Sequence, residues 1–331
     1  MTQKELTVLN LGQSLDDLAN MDPRGYGVCK ILYGAARKLS DAPLCMNAAQ
    51  KLLATVKPGD FVFILTGFVL PPWNRGETDG IVSSVLLCRA LVKALDAKPV
   101  LICPAECRKA AQEMCACADV QASIEVFTKD AGEAPGQADR LIGQYSPTAV
   151  VSIECPGCNE QGIYHNATGV DVTAIEAKQD VLFEKLQKMG VLNIAIGDLG
   201  NEIGMGSIGQ TLNTHIPKGD VIGVYTKTDN LITATVSDWG CYAMIAAMAF
   251  LLEDARIMHT KELEYRVLSC AAANGMIDMY GEGISAIDGF GPEIILPVVE
   301  LMGSMVKRAL ELRETCKNWF AGVEELGYFR N

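Results

Sequence analysis

An apolar run of strand length, Leu192-Asn193-Ile194-Ala195-Ile196-Gly197, stops at Asp198 and opens into Leu199-Gly200-Asn201-Glu202-Ile203-Gly204-Met205-Gly206. A short apolar run bounded by turn residues reads as a buried strand. In α/β proteins ligands bind outside the carboxyl ends of such strands. Glycine there lets backbone N–H groups approach a ligand closely or take a positive φ. Asp198, Glu202 and the amide of Asn201, held together at a strand end, are costly to desolvate without a partner. A solvated surface turn is the plain alternative, because polar loops are common on surfaces. The convergence of acids described below favours the floor of an active site.

Strand-like and helical patterns alternate along the rest of the chain. Strands are expected at 61–65, 99–103, 123–127, 149–153 and 192–197, with further strand-like runs at 221–225 and 231–236. Helical spacing covers 28–39, 44–56, 81–95, 106–117, 137–144, 175–189, 239–252, 261–273 and 294–312. Repeated βα units predict a mostly parallel sheet with helices on both faces, a Rossmann-like three-layer α/β arrangement. No linker tract or internal repeat interrupts residues 1–331, and 49% hydrophobic residues suffice for one large core. A single large domain is expected.

The formal net charge of -12 argues against nucleic acid or an anionic membrane as partner. It leaves room for a small acidic substrate, because one Arg or a helix N-terminus can override the global field. No apolar run approaches the ~18 residues of a membrane span. The first residues carry Lys4 among several acids, so neither a secretory nor a transit leader is expected. Twelve cysteines, mostly inside apolar segments, suit reduced thiols in a cytoplasmic protein.

Acids recur where strands end: Glu77 and Asp79, Glu154, Asp198 and Glu202, and Asp238. A cap explains Thr78 or Asp79 alone, before the helix at Ile81. It does not explain Arg75, Glu77 and Asp79 together after a strand. In a parallel sheet all these strand ends share one edge, so the acids can meet in one crevice. Such a cluster suits a hard divalent cation, Mn²⁺ or Mg²⁺, or a proton-transfer pair with separated pKa values. Asp79, Asp198 and Glu202 are the expected catalytic acids and metal ligands. Gly204 and Gly206 keep the backbone open to a ligand, and Arg75 offers a fork for a carboxylate.

Other motifs are weaker. His165, His215 and His259 stand alone, without zinc spacing. Gly204-x-Gly206-x-x-Gly209 matches a dinucleotide fingerprint, but it starts well past the strand end and Pro217 cuts its helix. No nucleotide cofactor is expected. Cys155-Pro156-Gly157-Cys158 supplies only two thiols at ligand spacing and is expected to be dispensable. No Ser or Cys sits in a nucleophile elbow.

At these residues the chain resembles the C-terminal domain of D-glutamate cyclases. The resemblance rests on Thr66-Gly67-Phe68, Glu77-Thr78-Asp79-Gly80, Glu154 with Pro156-Gly157, the block Gly197 to Gly206, Ser237-x-Trp239-Gly240, and Asp278 with Asp288-Gly289. Leu199 stands where a Gly is usual, Asp238 where an Asn is usual, and Cys158 where an Arg is usual. The resemblance implies a lyase that dehydrates D-glutamate to 5-oxo-D-proline, or acts on a related amino-acid carboxylate or lactam. It implies substrate contacts from Thr66, Gly67, Arg75, Glu77, Thr78, Glu154, Asn201, Gly204, Gly206, Ser237, Asp238, Trp239 and Asp288. Association into a homo-oligomer is compatible with this reading. The rivals are a non-catalytic small-anion-binding module and, less favoured, a nucleotide-dependent oxidoreductase.

Overall fold

The computed structural model describes residues 3–25 and 27–325. Six strands form one sheet: β1 (Phe61–Thr66), β2 (Lys98–Cys103), β3 (Ser123–Val126), β4 (Ala149–Ile153), β5 (Leu192–Gly197) and β6 (Leu231–Thr233). Their spatial order is β3-β2-β1-β4-β5-β6 and every pairing is parallel. The chain therefore winds outward from β1 to β3, then returns to the other side of β1 to lay down β4. That reversal makes the carboxyl ends of β1 and β4 a topological switch point, where doubly wound sheets bind ligands. Strands of such a sheet are covered on both faces and read as unbroken apolar runs. Accordingly Val62–Leu65 and Val150–Val151 are fully buried.

Helices α1 (Gln3–Ala19), α2 (Val28–Ala36), α3 (Leu44–Thr55), α4 (Ile81–Leu95), α5 (Arg108–Cys117), α6 (Ala134–Tyr145) and α7 (Gln179–Lys188) come first. Then follow α8 (Gly209–His215), α9 (Gly219–Ile222), α10 (Ser237–Leu251), α11 (Lys261–Ala273) and α12 (Pro292–Glu325). Helix α10 packs against α1, α3, α4 and α12, and it is buried from Ser237 to Phe250. Its apolar character on all sides is what a helix enclosed by others requires. Among the described residues no helix is long and apolar enough to cross a membrane.

Two local expectations are corrected. Residues 221–225 are not a strand: α9 occupies Gly219–Ile222, and Gly223 N–H closes its turn on Gly219 O at 2.9 Å. Val224 then donates to Gly200 O at 3.0 Å, so this stretch braces the loop after β5 instead of extending the sheet. The first residues, which gave no helical reading, form α1. Its buried Leu11, Leu15 and Ala19 recur at i, i+4 and i+8, one face of a helix.

Candidate active site

Each acid reaches the switch point by a distinct local route. Gly67 N–H donates to Glu154 O at 3.1 Å and Glu154 N–H to Ile196 O at 3.2 Å, stitching together the ends of β1, β4 and β5. Glu154 has φ 41°, a left-handed conformation that a non-glycine residue adopts only where its surroundings enforce it. Gly80, with φ +78°, starts α4, and a Cβ there would lie 2.5 Å from Glu154 Cβ. Glycine at 80 thus lets the Asp79 loop press against Glu154.

Asp79, Glu154 and Asp198 each place one carboxylate oxygen within 4.8 Å of the others. The start of α10 supports all three. Ser237 Oγ donates to Glu154 Oε2 at 2.6 Å, Ser237 N–H to Asp198 Oδ2 at 3.2 Å, and Asp238 N–H to Asp79 Oδ1 at 3.1 Å. The unpaired N–H groups and dipole of a helix N-terminus favour negative charge. Asp79 Oδ1 also accepts from Gly80 N–H at 2.8 Å.

The cluster is crowded with negative charge. Burial, then the charges of Glu202, Asp79 and Glu77, push the Glu154 carboxyl well above its usual range. Asp198 keeps a partly exposed edge but lies deep, and burial followed by Glu154, Asp288 and Asp79 push it well up too. Burial raises Asp79 to about 6, moderated by the N–H groups of Asp238 and Gly80. Burial and Asp79 raise Asp288 to about 7 against the pull of Arg24. Neighbouring Glu77 is pushed well up by burial and by Asp79.

These acids face a cavity of about 320 Å³, lined among others by Arg24, Glu77, Asp79, Glu154, Asp198, Asn201, Glu202 and Asp288. Arg24 pairs with Asp288 Oδ2 at 2.7 Å. Arg24 stands in Asp22-Pro23-Arg24-Gly25, a turn by its residue types. Nothing in its spacing ties it to strand ends far along the chain.

Other expected residues go elsewhere. Arg75 does not line the cavity: its exposed side chain donates Nε to Gly275 O at 2.7 Å. Gly204 and Gly206 both donate N–H to Thr226 O at 3.1 Å, so neither N–H is left for the substrate contact expected of it. Gly204 is small because a Cβ would collide with Ala195 of β5. Glu202 lines the cavity, but Oε1 accepts from Asp198 N–H at 3.1 Å and Leu199 N–H at 2.8 Å, and Oε2 from Gly200 N–H at 2.6 Å. It folds its own loop, and Glu154 takes its expected place in the acid trio. Asn201 lines the cavity and donates Nδ2 to His165 O at 3.1 Å.

Thr66 is buried at the end of β1, and Thr78 Oγ1 donates to Ala286 O at 2.7 Å. Asp238 Oδ1 accepts from Ser83 N–H at 2.8 Å, and Asp238 is not one of the three carboxylates that come together. Trp239 is buried against Phe290, ring centroids 5.3 Å apart, and supports the Arg24 wall from behind.

A family model described as D-glutamate cyclase-like, C-terminal, matches residues 15–302. The mitochondrial D-glutamate cyclase of Homo sapiens is 27% identical over 270 residues, covering 77% of this chain and 41% of the human protein. The chain thus spans about two fifths of the length of that curated relative. With the match running from α1 into α12 and through every acid of the cavity, the chain belongs to the family of D-glutamate cyclase-like C-terminal domains.

Proposed function

We propose that this chain is a lyase that closes D-glutamate to 5-oxo-D-proline with release of one water. The observation that carries the reading is the trio Asp79, Glu154 and Asp198 at the switch point, facing a cavity of small-molecule size. Family membership and the name of the human relative support D-glutamate as the substrate.

The chemistry asks for two opposite proton tasks. The substrate ammonium must lose a proton before its nitrogen attacks the γ-carboxyl carbon. The γ-carboxyl must be neutralised, and one of its oxygens must leave as water. Asp79, at about 6, is ionised at neutral pH and suits the base. Glu154, pushed well above its usual range by burial and its acidic neighbours, suits the acid that protonates the γ-carboxyl. Two carboxyls whose surroundings push their pKa values apart are the usual mark of such a division. Asp79 then passes its proton to the leaving γ-oxygen, which departs as water as the C–O bond breaks, and the second nitrogen proton goes to Glu154, so both carboxyls return to their starting states.

The donor set also fits a hard divalent cation: it is all carboxylate oxygen, buried, and short of positive charge. Asp79, Glu154 and Asp198 would hold such an ion, and as a Lewis acid it would polarise the γ-carboxyl. A cytoplasmic setting, read from the cysteines, belongs to the same proposal.

The test is incubation with D- and L-glutamate and with both lactams, with chelator, Mn²⁺ or Mg²⁺, followed by chromatography. Interconversion of D-glutamate and 5-oxo-D-proline is expected. Binding of these ligands without turnover would make the chain an anion-binding module instead.

A further inference from the structure

Ring closure joins the substrate's amine to its γ-carboxyl and leaves the α-carboxylate out of the bond changes. That group carries a full negative charge. Beside Asp79, Glu154 and Asp198 it would meet like charges at short range in a poorly solvated site. Arg24 is the only cation among the described residues lining the cavity.

The guanidinium is fixed before any ligand arrives. Nη1 donates to Asp288 O at 3.3 Å and lies 2.7 Å from Asp288 Oδ2, while Nη2 donates to Thr235 O at 2.9 Å. Its Cζ sits 4.9 Å from the Phe290 ring centroid, and Phe290 leans on Trp239. Asp288, at φ 50°, occupies a left-handed conformation beside it. Burial opposes the charge on Arg24, but Asp288, then Asp198 and Asp22, more than offset this and hold its pKa up. The side chain is about a quarter exposed, 24%. A guanidinium anchored in this way presents a fixed positive charge to a carboxylate and loses little rotamer freedom on binding it.

We propose that Arg24, anchored by Asp288 and Phe290, receives the α-carboxylate of the substrate and makes the cavity selective for α-amino acids over amines that lack this group. The assignment rests on the cyclase reading above. Arg24 is a specificity residue under it; the proton transfers belong to the acids. The cavity is then polar in a useful sense, with one end for the reacting groups and one for the group that identifies an amino acid.

The test compares the parent with Arg24→Met and Arg24→Lys on D-glutamate and 4-aminobutyrate. The second compound keeps the amine-to-carboxyl spacing, lacks the α-carboxylate, and closes to 2-pyrrolidone with loss of one water. Arg24→Met should lose roughly 10- to 100-fold in kcat/KM on D-glutamate, mainly through KM, as for loss of one charge-assisted pair. Its rate on 4-aminobutyrate should stay level, and Arg24→Lys should fall between. A purely structural role would lower both substrates together, so an unchanged preference in Arg24→Met overturns the assignment.

The same variants are titrated with 5-oxo-D-proline and 2-pyrrolidone, lactams that differ only by the carboxylate. The parent should bind the first at least ~10-fold tighter, and Arg24→Met should level the two. Equal binding by the parent, or a preference kept by the variant, overturns the assignment. Absence of turnover by the parent on every substrate removes the cyclase reading, and the lactam titration still decides the role of Arg24. If Arg24→Met does not fold, Arg24→Lys carries both comparisons.

Discussion

The Ser237 hydroxyl donates to Glu154 Oε2 at 2.6 Å, joining the first turn of α10 to the end of β4. The same turn donates backbone N–H groups to Asp198 and Asp79. One helix start therefore supports all three carboxylates. The body of that helix is buried, so the acids are referenced to the rigid core and not to a surface loop. A catalytic constellation needs such support, because small displacements of a proton donor lower the rate steeply.

Ser237→Ala tests this relationship. The Ser237 hydroxyl lowers the Glu154 pKa, so its removal should raise it further. The limb of the kcat profile governed by Glu154 should move to higher pH while the fold survives. A pH–rate profile that superimposes on the parent's would remove Ser237 from this role.

Asp198→Asn, Glu154→Gln and Asp79→Asn keep shape and remove charge. Loss of a general acid or base typically costs about 10²–10⁴-fold in rate. Thermal midpoints at pH 8 should stay level or rise, because each substitution relieves repulsion within the trio. Full turnover in any of the three would take that residue out of the chemistry.

Glu202→Gln should behave differently. Its two oxygens hold the N–H groups of Asp198, Leu199 and Gly200, and an amide nitrogen would turn donors toward donors. A loss on the order of 2 kcal/mol in urea unfolding is expected, with activity falling through misplacement of Asp198. If stability is unchanged while kcat collapses, Glu202 acts on the substrate directly.

Strand ends and their acids were readable because strand length and flanking turn residues mark where a chain emerges from the core. The parallel sheet followed from the same alternation. The direction in which a loop turns its side chains is not encoded by spacing. Glu202 and Glu154 look equivalent as letters and both line the cavity, yet Glu202 spends its oxygens on the N–H groups of its own loop whereas Glu154 joins Asp79 and Asp198. Glycines at 204 and 206 read as ligand contacts, whereas they are small because Ala195 and the Tyr225–Thr226 backbone press on them. Arg24 escaped notice because it precedes the first strand, and only tertiary folding brings it to Asp288. Arg75, nearer in sequence to the acids, is carried outward on a short hairpin to Gly275.

Cys155 and Cys158 are expected to be chemically quiet. Burial pushes the Cys155 thiol well up, and burial with Asp180 raises Cys158 to about 12. Thiolates are the reactive and metal-binding form, so neither is poised for redox or metal work. Cys158→Ser should leave activity within a few-fold, and Cys155 should resist iodoacetamide in the native protein. Stoichiometric zinc or iron that is lost with Cys158→Ser would contradict this.

The acid cluster also predicts how stability depends on pH and on divalent ions. Asp79 and Asp288 titrate at about 6 and about 7 in the native state, against an ordinary 3.8. A carboxyl raised on folding binds its proton more tightly in the native state than in the unfolded chain. Its stabilising contribution is therefore complete below the ordinary value and is lost as pH rises through the native one. From pH 5 to pH 8 in chelator, these two residues should lower the thermal midpoint, the reverse of a carboxylate whose pKa is depressed on folding. Asp79→Asn and Asp288→Asn should each flatten the slope relative to the parent, which separates the cluster from the general repulsion of an acidic surface. A divalent cation competes with protons for the trio, so its stabilisation should be larger at pH 8 than at pH 5. Midpoints recorded across this range with EDTA and with Mn²⁺ read both effects. A slope unaltered by either Asn substitution would mean that these carboxyls are not raised, and a Mn²⁺ shift independent of pH would place any bound ion away from the trio.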